Sequence, residues 1–203
     1  MIEFAQKATW NKRWKGSEEK ERLTLLGRRM FQAKRKTLMH RVSRLPARTV
    51  LEVGCGLGHT MEAYCDLGLD VTGIDISEHA VACCKNKGFQ VLLHSVEEMA
   101  GAFDLVSSDG LLEHFLYFEP YARHFMRLSK RYVLLIQPNH ESILGKTLVY
   151  LAELLRSNTN VHEFNYRMAD FIQVFEKNHF KVIQNQPIFG DVFRLLLFEK
   201  TSK

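Results

Sequence analysis

A chain of 203 residues, 46% apolar and 25% charged, has the balance of one globular domain able to bury roughly 70% of the surface its unfolded form exposes, which excludes a disordered or fibrous protein. The net charge of +5 is uneven: residues 1–48 hold fourteen Lys/Arg against four Asp/Glu, and the remainder is acidic on balance. No apolar run reaches the roughly 18 to 20 residues of a membrane span, and the N-terminus lacks a secretory pattern, so a cytoplasmic protein without stable membrane insertion is expected. Cys55, Cys65, Cys83 and Cys84 have neither zinc-pair spacing nor the density of a disulfide framework. Buried reduced thiols are expected, and no metal site.

Ser17, followed by Glu18 and Glu19, has the chemistry of a helix start, because a hydroxyl caps free amides and first-turn carboxylates oppose the dipole. The helix that follows places Leu23, Leu26, Met30, Met39 and Val42 in an interrupted apolar stripe. Arg28, Arg29, Lys34, Arg35, Lys36, Arg41 and Arg44 crowd its remaining surface, and Pro46 ends it. Residues 1–48 thus read as a basic helical extension. Strand Thr49 to Val53, a glycine-rich turn, a helix to Leu67 and strand Val71 to Asp75 then set a βαβ rhythm. Gly68 suits a left-handed helix exit. Ser77 opens the next helix, Gly88 closes it, and Val91 to Leu93 is a third strand.

Asp104 to Ser108 supplies a fourth strand, Tyr117 to Leu128 a helix, and Tyr132 to Gln137 a fifth strand whose unbroken apolar character implies burial on both faces. Pro138 stops it. Ser142 to Arg156 reads as a very apolar helix and Met168 to Lys177 as another, with Asn178 as its left-handed exit. Lys181 to Ile188 and Val192 to Phe198 form two strands joined through Phe189-Gly190-Asp191. No repeat or linker divides the chain, so one domain over 1–203 is expected.

The most informative segment is VLEVGCGLG, Val50 to Gly58. A buried-type strand runs into three alternating glycines, which permit positive φ and let a ligand approach the main chain, while the next helix offers free amides. A tight connection without a ligand would need fewer glycines. GIDIS places Asp75 at the end of the next strand, about twenty residues on, where an acceptor-only carboxylate can take both hydroxyls of a ribose. Helix capping is the alternative for Asp75, but Ser77 is better placed for it. A dinucleotide dehydrogenase would carry G-x-G-x-x-G; here the pattern is G-x-G-x-G with His59 at the last position.

VLEVGCGLG, GIDIS, LLHSVEEM, FDLVSSDGLLEHF and YVLLIQPN, in this order between Thr49 and Asn139, resemble the class I S-adenosylmethionine-dependent methyltransferases. Among these they resemble especially the broad type 11 family that includes ubiquinone and menaquinone biosynthesis enzymes. The resemblance implies a Rossmann-like three-layer αβα sandwich, with a mostly parallel seven-stranded sheet and a C-terminal antiparallel strand. It implies a cofactor-binding core over 49–139, followed over 140–203 by substrate-side helices and a final β-hairpin. Its cofactor is S-adenosyl-L-methionine. Gly54, Cys55, Gly56 and Gly58 would cradle the methionine portion, with Glu52 orienting the loop or the ligand ammonium. Asp75 would hold the ribose, Ile76 would cover an adenine face, and Val96 would lie at the adenine edge. Ser95 stands where relatives often carry aspartate, so it would bind the adenine amino group more weakly, pass the task to Glu97 or leave it to water. Asp109, Gly110 and Leu111 would lie beside the methionine or the acceptor.

Glu113 and His114 either face that cleft or brace the following segment. A sulfonium is already an activated methyl donor, so alignment is the main task, and a base is needed only where the acceptor must lose a proton. His114, His140 and His162 are the candidate bases. The acceptor would be met by the helical segment with Trp10 and Trp14 and by Asn139 to Tyr166. There Ile143, Leu144, Leu148, Val149, Leu151, Leu154 and Leu155 could cover a small apolar molecule, pack on the sheet or pair two subunits into a homodimer. The basic helix keeps RNA open as an alternative acceptor, though SSDG lacks the Asn/Asp-Pro-Pro-aromatic arrangement of nucleobase amino-group methylation. A cofactor-binding regulator without turnover is the non-enzymatic alternative.

Overall fold

The computed structural model describes residues 2–16, 25–143, 145–147 and 163–201. Two helices, α1 (Ile2–Gly16) and α2 (Leu25–Val42), precede the sheet. The chain then alternates through β1 (Thr49–Val53), α3 (His59–Asp66), β2 (Asp70–Asp75), α4 (Glu78–Asn86), β3 (Gln90–Leu93) and β4 (Phe103–Asp109). A 3-10 turn at Leu112–His114 leads to α5 (Glu119–Leu128), β5 (Ser129–Pro138), α6 (Met168–Lys177), β6 (Phe180–Ile188) and β7 (Phe193–Lys200).

The sheet order is β3-β2-β1-β4-β5-β7-β6. Strands β1 to β5 pair in parallel, and β7 runs antiparallel to both β5 and β6. The expected seven-stranded, mostly parallel sheet with one antiparallel strand is therefore present. Two apolar layers cover it. Leu51, Val53, Val106, Val133 and Leu135 face α5 and α6, whose Phe125, Phe171 and Phe175 are buried; Val50, Leu105, Leu134 and Ile136 face the side of α2 and α3, with Leu38, Val42, Met61 and Tyr64. From Tyr132 to Pro138 every residue of β5 is buried, as its continuous apolar run predicts; each such large side chain stabilises the fold by roughly 1.5–3 kcal/mol.

Local chemistry accounts for most boundaries. Ser77 caps α4, its hydroxyl accepting from the Ala80 amide at 3.2 Å. Gly68 takes the left-handed exit predicted for it, at φ 73°, and Gly88, expected to close the next helix, is left-handed as well, at φ 84°. The β6–β7 connection is left-handed through Phe189, Gly190 and Asp191.

Several expectations need correction. Asn178 is not the left-handed exit of α6: its φ is −112° and its side-chain amide donates to the Val174 carbonyl, so the turn falls on His179 at φ 63°. Helix α5 starts at Glu119, not Tyr117, because Pro120 fits its first turn. Strand β5 includes Pro138, which ends it. On α2 the inward face is Leu38 and Val42, while Leu26, assigned to the apolar stripe, is 46% exposed. Cys55 and Cys84 are buried, but Cys65 is exposed and Cys83 half-buried. The helix start proposed at Ser17 and most of the helix proposed over 142–156 lie outside the described residues. Among the described residues, no helix is long and apolar enough to cross a membrane and no cluster of His, Cys, Asp or Glu could hold a metal ion.

Candidate functional site

The C-terminal ends of β1, β2 and β4 meet at one edge of the sheet, where clefts of open α/β folds form. The turn after β1 carries Gly54, Gly56 and Gly58 at φ 70°, 51° and 83°, a left-handed run that L side chains rarely sustain. At Gly58 a Cβ would also lie 2.9 Å from the Phe89 ring. The turn is fastened from below by the Ile74 carbonyl, which accepts from the Gly54 and Cys55 amides at 2.9 and 3.0 Å.

Asp75 fastens it from the side. One carboxylate oxygen accepts from the Gly56 amide at 2.9 Å, and the other from the Ser77 amide at 2.8 Å. Both oxygens keep a lone pair. Burial raises the Asp75 pKa, and the Ser77, Gly56 and Ile76 amides oppose that rise. Asp75 is thus a brace for two loops in addition to being a ready acceptor, and its partnership with Gly56 was not foreseen from sequence.

The crevice above this turn is not bare. Trp14 of α1 lies against Gly56 so closely that a Cβ there would come within 2.6 Å of its ring. Trp10 stacks near Trp14 at 6.0 Å and meets His114 edge-on at 5.0 Å. Between them Asn11 accepts from the Ser77 hydroxyl at 2.7 Å and the His79 amide at 3.3 Å, and Lys7 pairs with Glu78 at 3.0 Å. Helix α1 therefore crosses from the start of α4 towards the 3-10 turn, over the main chain expected to be open. Sequence reading had flagged Trp10 and Trp14 for the acceptor side; nothing local in their pattern places them on the glycine turn.

Beside Gly54 a cavity of about 210 Å³ remains, bounded by the turn, Glu52, Asp109, Phe193 and the α2 face that carries Met30, Phe31 and Lys34. Glu52 is 1% exposed with one carboxylate oxygen lacking a hydrogen-bond partner. Burial pushes its pKa up to about 8, with the Ser107 hydroxyl pulling it down and the Asp109 charge adding to the rise. Ser107 itself hydrogen-bonds the Tyr64 hydroxyl. Lys34, expected on the outer basic face, instead bonds Asp109 at 2.7 Å. Gly27, Met30, Phe31 and Lys34 follow a spacing of 3, 4 and 7, which puts them on one helical stripe. That spacing was the available signal.

The other predicted residues are dispersed around this centre. Ile76 is half-buried just beyond Asp75, and Val96 is buried in the core after β3. The Ser95 amide donates to the Glu98 carboxylate at 2.8 Å. Leu111 covers Gly54, and Gly110 lies against the Glu113 carboxyl. Glu113 is buried with one oxygen unpartnered, and burial pushes its pKa up to about 8. Gln137, fully buried at the end of β5, has neither side-chain polar atom hydrogen-bonded. His140 sits in the turn after β5, and His114 meets Trp10 edge-on. His162 is outside the described residues.

Known proteins share this fold. The chain is 38% identical to a ubiquinone biosynthesis O-methyltransferase of Bordetella avium over 34% of this chain and 33% of the relative. A counterpart in Thiobacillus denitrificans matches at 38% over a similar share. The match thus spans about a third of the length of these relatives. In fold, it is similar to magnesium protoporphyrin IX methyltransferase of Synechocystis, crystallised with S-adenosylmethionine, with TM-score 0.72, 16% identity and 98% and 97% of the two chains covered. It is also similar to 1,6-didemethyltoxoflavin-N1-methyltransferase of Burkholderia thailandensis, with S-adenosylhomocysteine, with TM-score 0.69, 16% identity and 98% and 90% covered. A family profile described as a methyltransferase domain matches residues 26–185, which is most of the described sheet, and the chain belongs to this methyltransferase domain family.

Proposed function

We propose that this protein is an S-adenosylmethionine-dependent methyltransferase acting on a small-molecule acceptor. The observation that carries the reading is the left-handed glycine turn tied to Asp75 at the carboxyl edge of the sheet, beside a cavity lined by the buried Glu52, one of whose carboxylate oxygens lacks a partner. The cofactor would supply an electrophilic methyl group on a sulfonium. The chain's part is then to bind and align. Gly54 and Gly56 allow close approach of the ligand to the main chain, and Asp75 offers its free lone pairs to ribose hydroxyls. Glu52 offers an acceptor to an ammonium. For a nucleoside to reach Asp75, α1 must shift from its seat on Gly56.

Two of the relatives named above carry small-molecule substrates in their names, which supports the small-molecule class. The RNA alternative draws less support, because part of the basic segment's charge is neutralised internally: Lys34 pairs with Asp109, Arg35 with Asp66 and Lys7 with Glu78. Incubation with methyl-labelled cofactor and a fractionated extract tests the proposal. Label in the small-molecule or lipid fraction is the expected result. Label in RNA would replace it, and cofactor binding without label in any fraction would favour a regulator.

A further inference from the structure

Two buried thiols meet under the glycine turn, and the methyl-transfer reading gives their sulfurs no task. Cys84 of α4 stands 28 positions from Gly56, yet its Sγ donates to the Gly56 carbonyl at 3.2 Å; Cys55 Sγ lies 4.0 Å from the same oxygen. The two sulfurs thus converge on one atom, and they also interact directly. The bond from Cys55 lowers the Cys84 pKa against the effect of burial, with the Lys87 charge helping, while the same bond and burial raise Cys55. A thiol readied to ionise beside one that keeps its proton is the arrangement thiol oxidation requires. Both are enclosed, Cys84 at 0% and Cys55 at 6% exposure, but Cys55 lines the cavity of about 210 Å³. That volume falls below the roughly 300 Å³ of small-molecule sites, so it admits hydrogen peroxide and excludes a bulky disulfide.

We propose that Cys55 and Cys84 are a modification site, forming a reversible disulfide under hydrogen peroxide that loosens the glycine turn. One sulfur attacks the O–O bond and becomes a sulfenic acid as water leaves. The second sulfur attacks the first, the S–S bond forms, and the sulfenic oxygen leaves as a second water. Two thiols lose two electrons, peroxide gains them, and the thiol protons end in the waters. A dithiol reverses the bond by exchange. Its formation takes Cys84 off the Gly56 carbonyl, which loses a hydrogen bond that fastens the turn. The effect on cofactor binding rests on the methyltransferase reading; the bond itself does not. Thiols that merely fill the core would stay reduced, leaving exposed Cys65 and half-buried Cys83, whose Sγ lies 3.6 Å from His79 Nε2, to react instead.

The test treats the full chain with hydrogen peroxide, alkylates the remaining thiols and cuts with trypsin and Asp-N. This leaves Cys55 on residues 49–65 and Cys84 on residues 75–85, and fragment spectra assign the link. Calorimetry with S-adenosylhomocysteine compares reduced with oxidised protein. A Cys55–Cys84 link should form, reverse with dithiothreitol, persist in Cys65→Ser and Cys83→Ser, and be lost in Cys84→Ser. Oxidation should weaken binding to the wild type by about 3- to 10-fold, the range of one neutral hydrogen bond, and leave binding to Cys84→Ser as it was before peroxide. Should Cys84→Ser fail to fold, Cys55→Ser serves in its place. Oxidation confined to Cys65 and Cys83, or a Cys55–Cys84 link with unaltered affinity, overturns the proposal and leaves the methyltransferase reading intact. A reduced wild-type protein that does not bind S-adenosylhomocysteine overturns that reading, and the switch with it.

Discussion

Glu52 faces the cavity as a carboxyl group whose pKa is pushed to about 8 by burial. At pH 7 about nine-tenths of it is protonated, and ionising it to meet an ammonium costs about 1.4 kcal/mol. Binding of S-adenosylhomocysteine at pH 7 should therefore release about 0.9 proton, and affinity should rise close to tenfold per pH unit between pH 6 and 7.5. Glu52→Gln removes the titrating group. The slope and the proton release should vanish, and affinity at pH 8 should fall by about 1.5–3 kcal/mol for the lost charge-assisted bond. Calorimetry in buffers of different ionisation enthalpy measures both quantities. Affinity that stays flat across this range, or a slope that survives in Glu52→Gln, would refute the reasoning. The sign reverses for the unliganded fold. A carboxyl whose folded pKa is raised contributes stability below its unfolded value of 4.5 and loses it as pH climbs through about 8, so the apo protein should melt lower at pH 8.5 than at pH 5.5.

Trp10 and Trp14 are the two tryptophans of the chain, so displacement of α1 by a ligand should change the intrinsic fluorescence; saturating S-adenosylhomocysteine without a spectral change would mean that α1 stays on Gly56. Asp75→Asn should weaken cofactor binding by about 1.5–3 kcal/mol and also loosen the glycine turn, because the Gly56 and Ser77 amides lose a charged acceptor; unchanged calorimetric affinity in a folded variant would contradict its ribose role. Gly56→Ala should lower stability by about 1–3 kcal/mol in chemical denaturation, from the positive φ and the Trp14 ring against it; a neutral effect would mean that the turn is not held as described.

The cofactor-side half of the fold was legible because its signals are local. The run from Val50 to Gly58 encodes a strand and a left-handed turn in adjacent residues, Ser77 encodes its own cap, and the apolar run of β5 encodes burial on both faces. What escaped depends on contacts distant in sequence. Trp14 reaches Gly56 and Lys34 reaches Asp109 across 75 positions, and a basic residue on an amphipathic helix carries no local mark of facing a cavity. Register errors of one residue explain Leu26 and Asn178. A small shift in helical phase turns Leu26 outwards, and a side-chain bond to the preceding turn moves the left-handed exit from Asn178 to His179. Two cysteines missed burial because α3 and α4 each keep one face in water.

Titration of the intact protein with S-adenosylhomocysteine, and separately with NAD, tests the central claim most directly. Saturable 1:1 binding of S-adenosylhomocysteine, abolished or strongly weakened in Asp75→Asn and absent for NAD, is the result the glycine turn and Asp75 predict. Binding of NAD with no affinity for S-adenosylhomocysteine would contradict it.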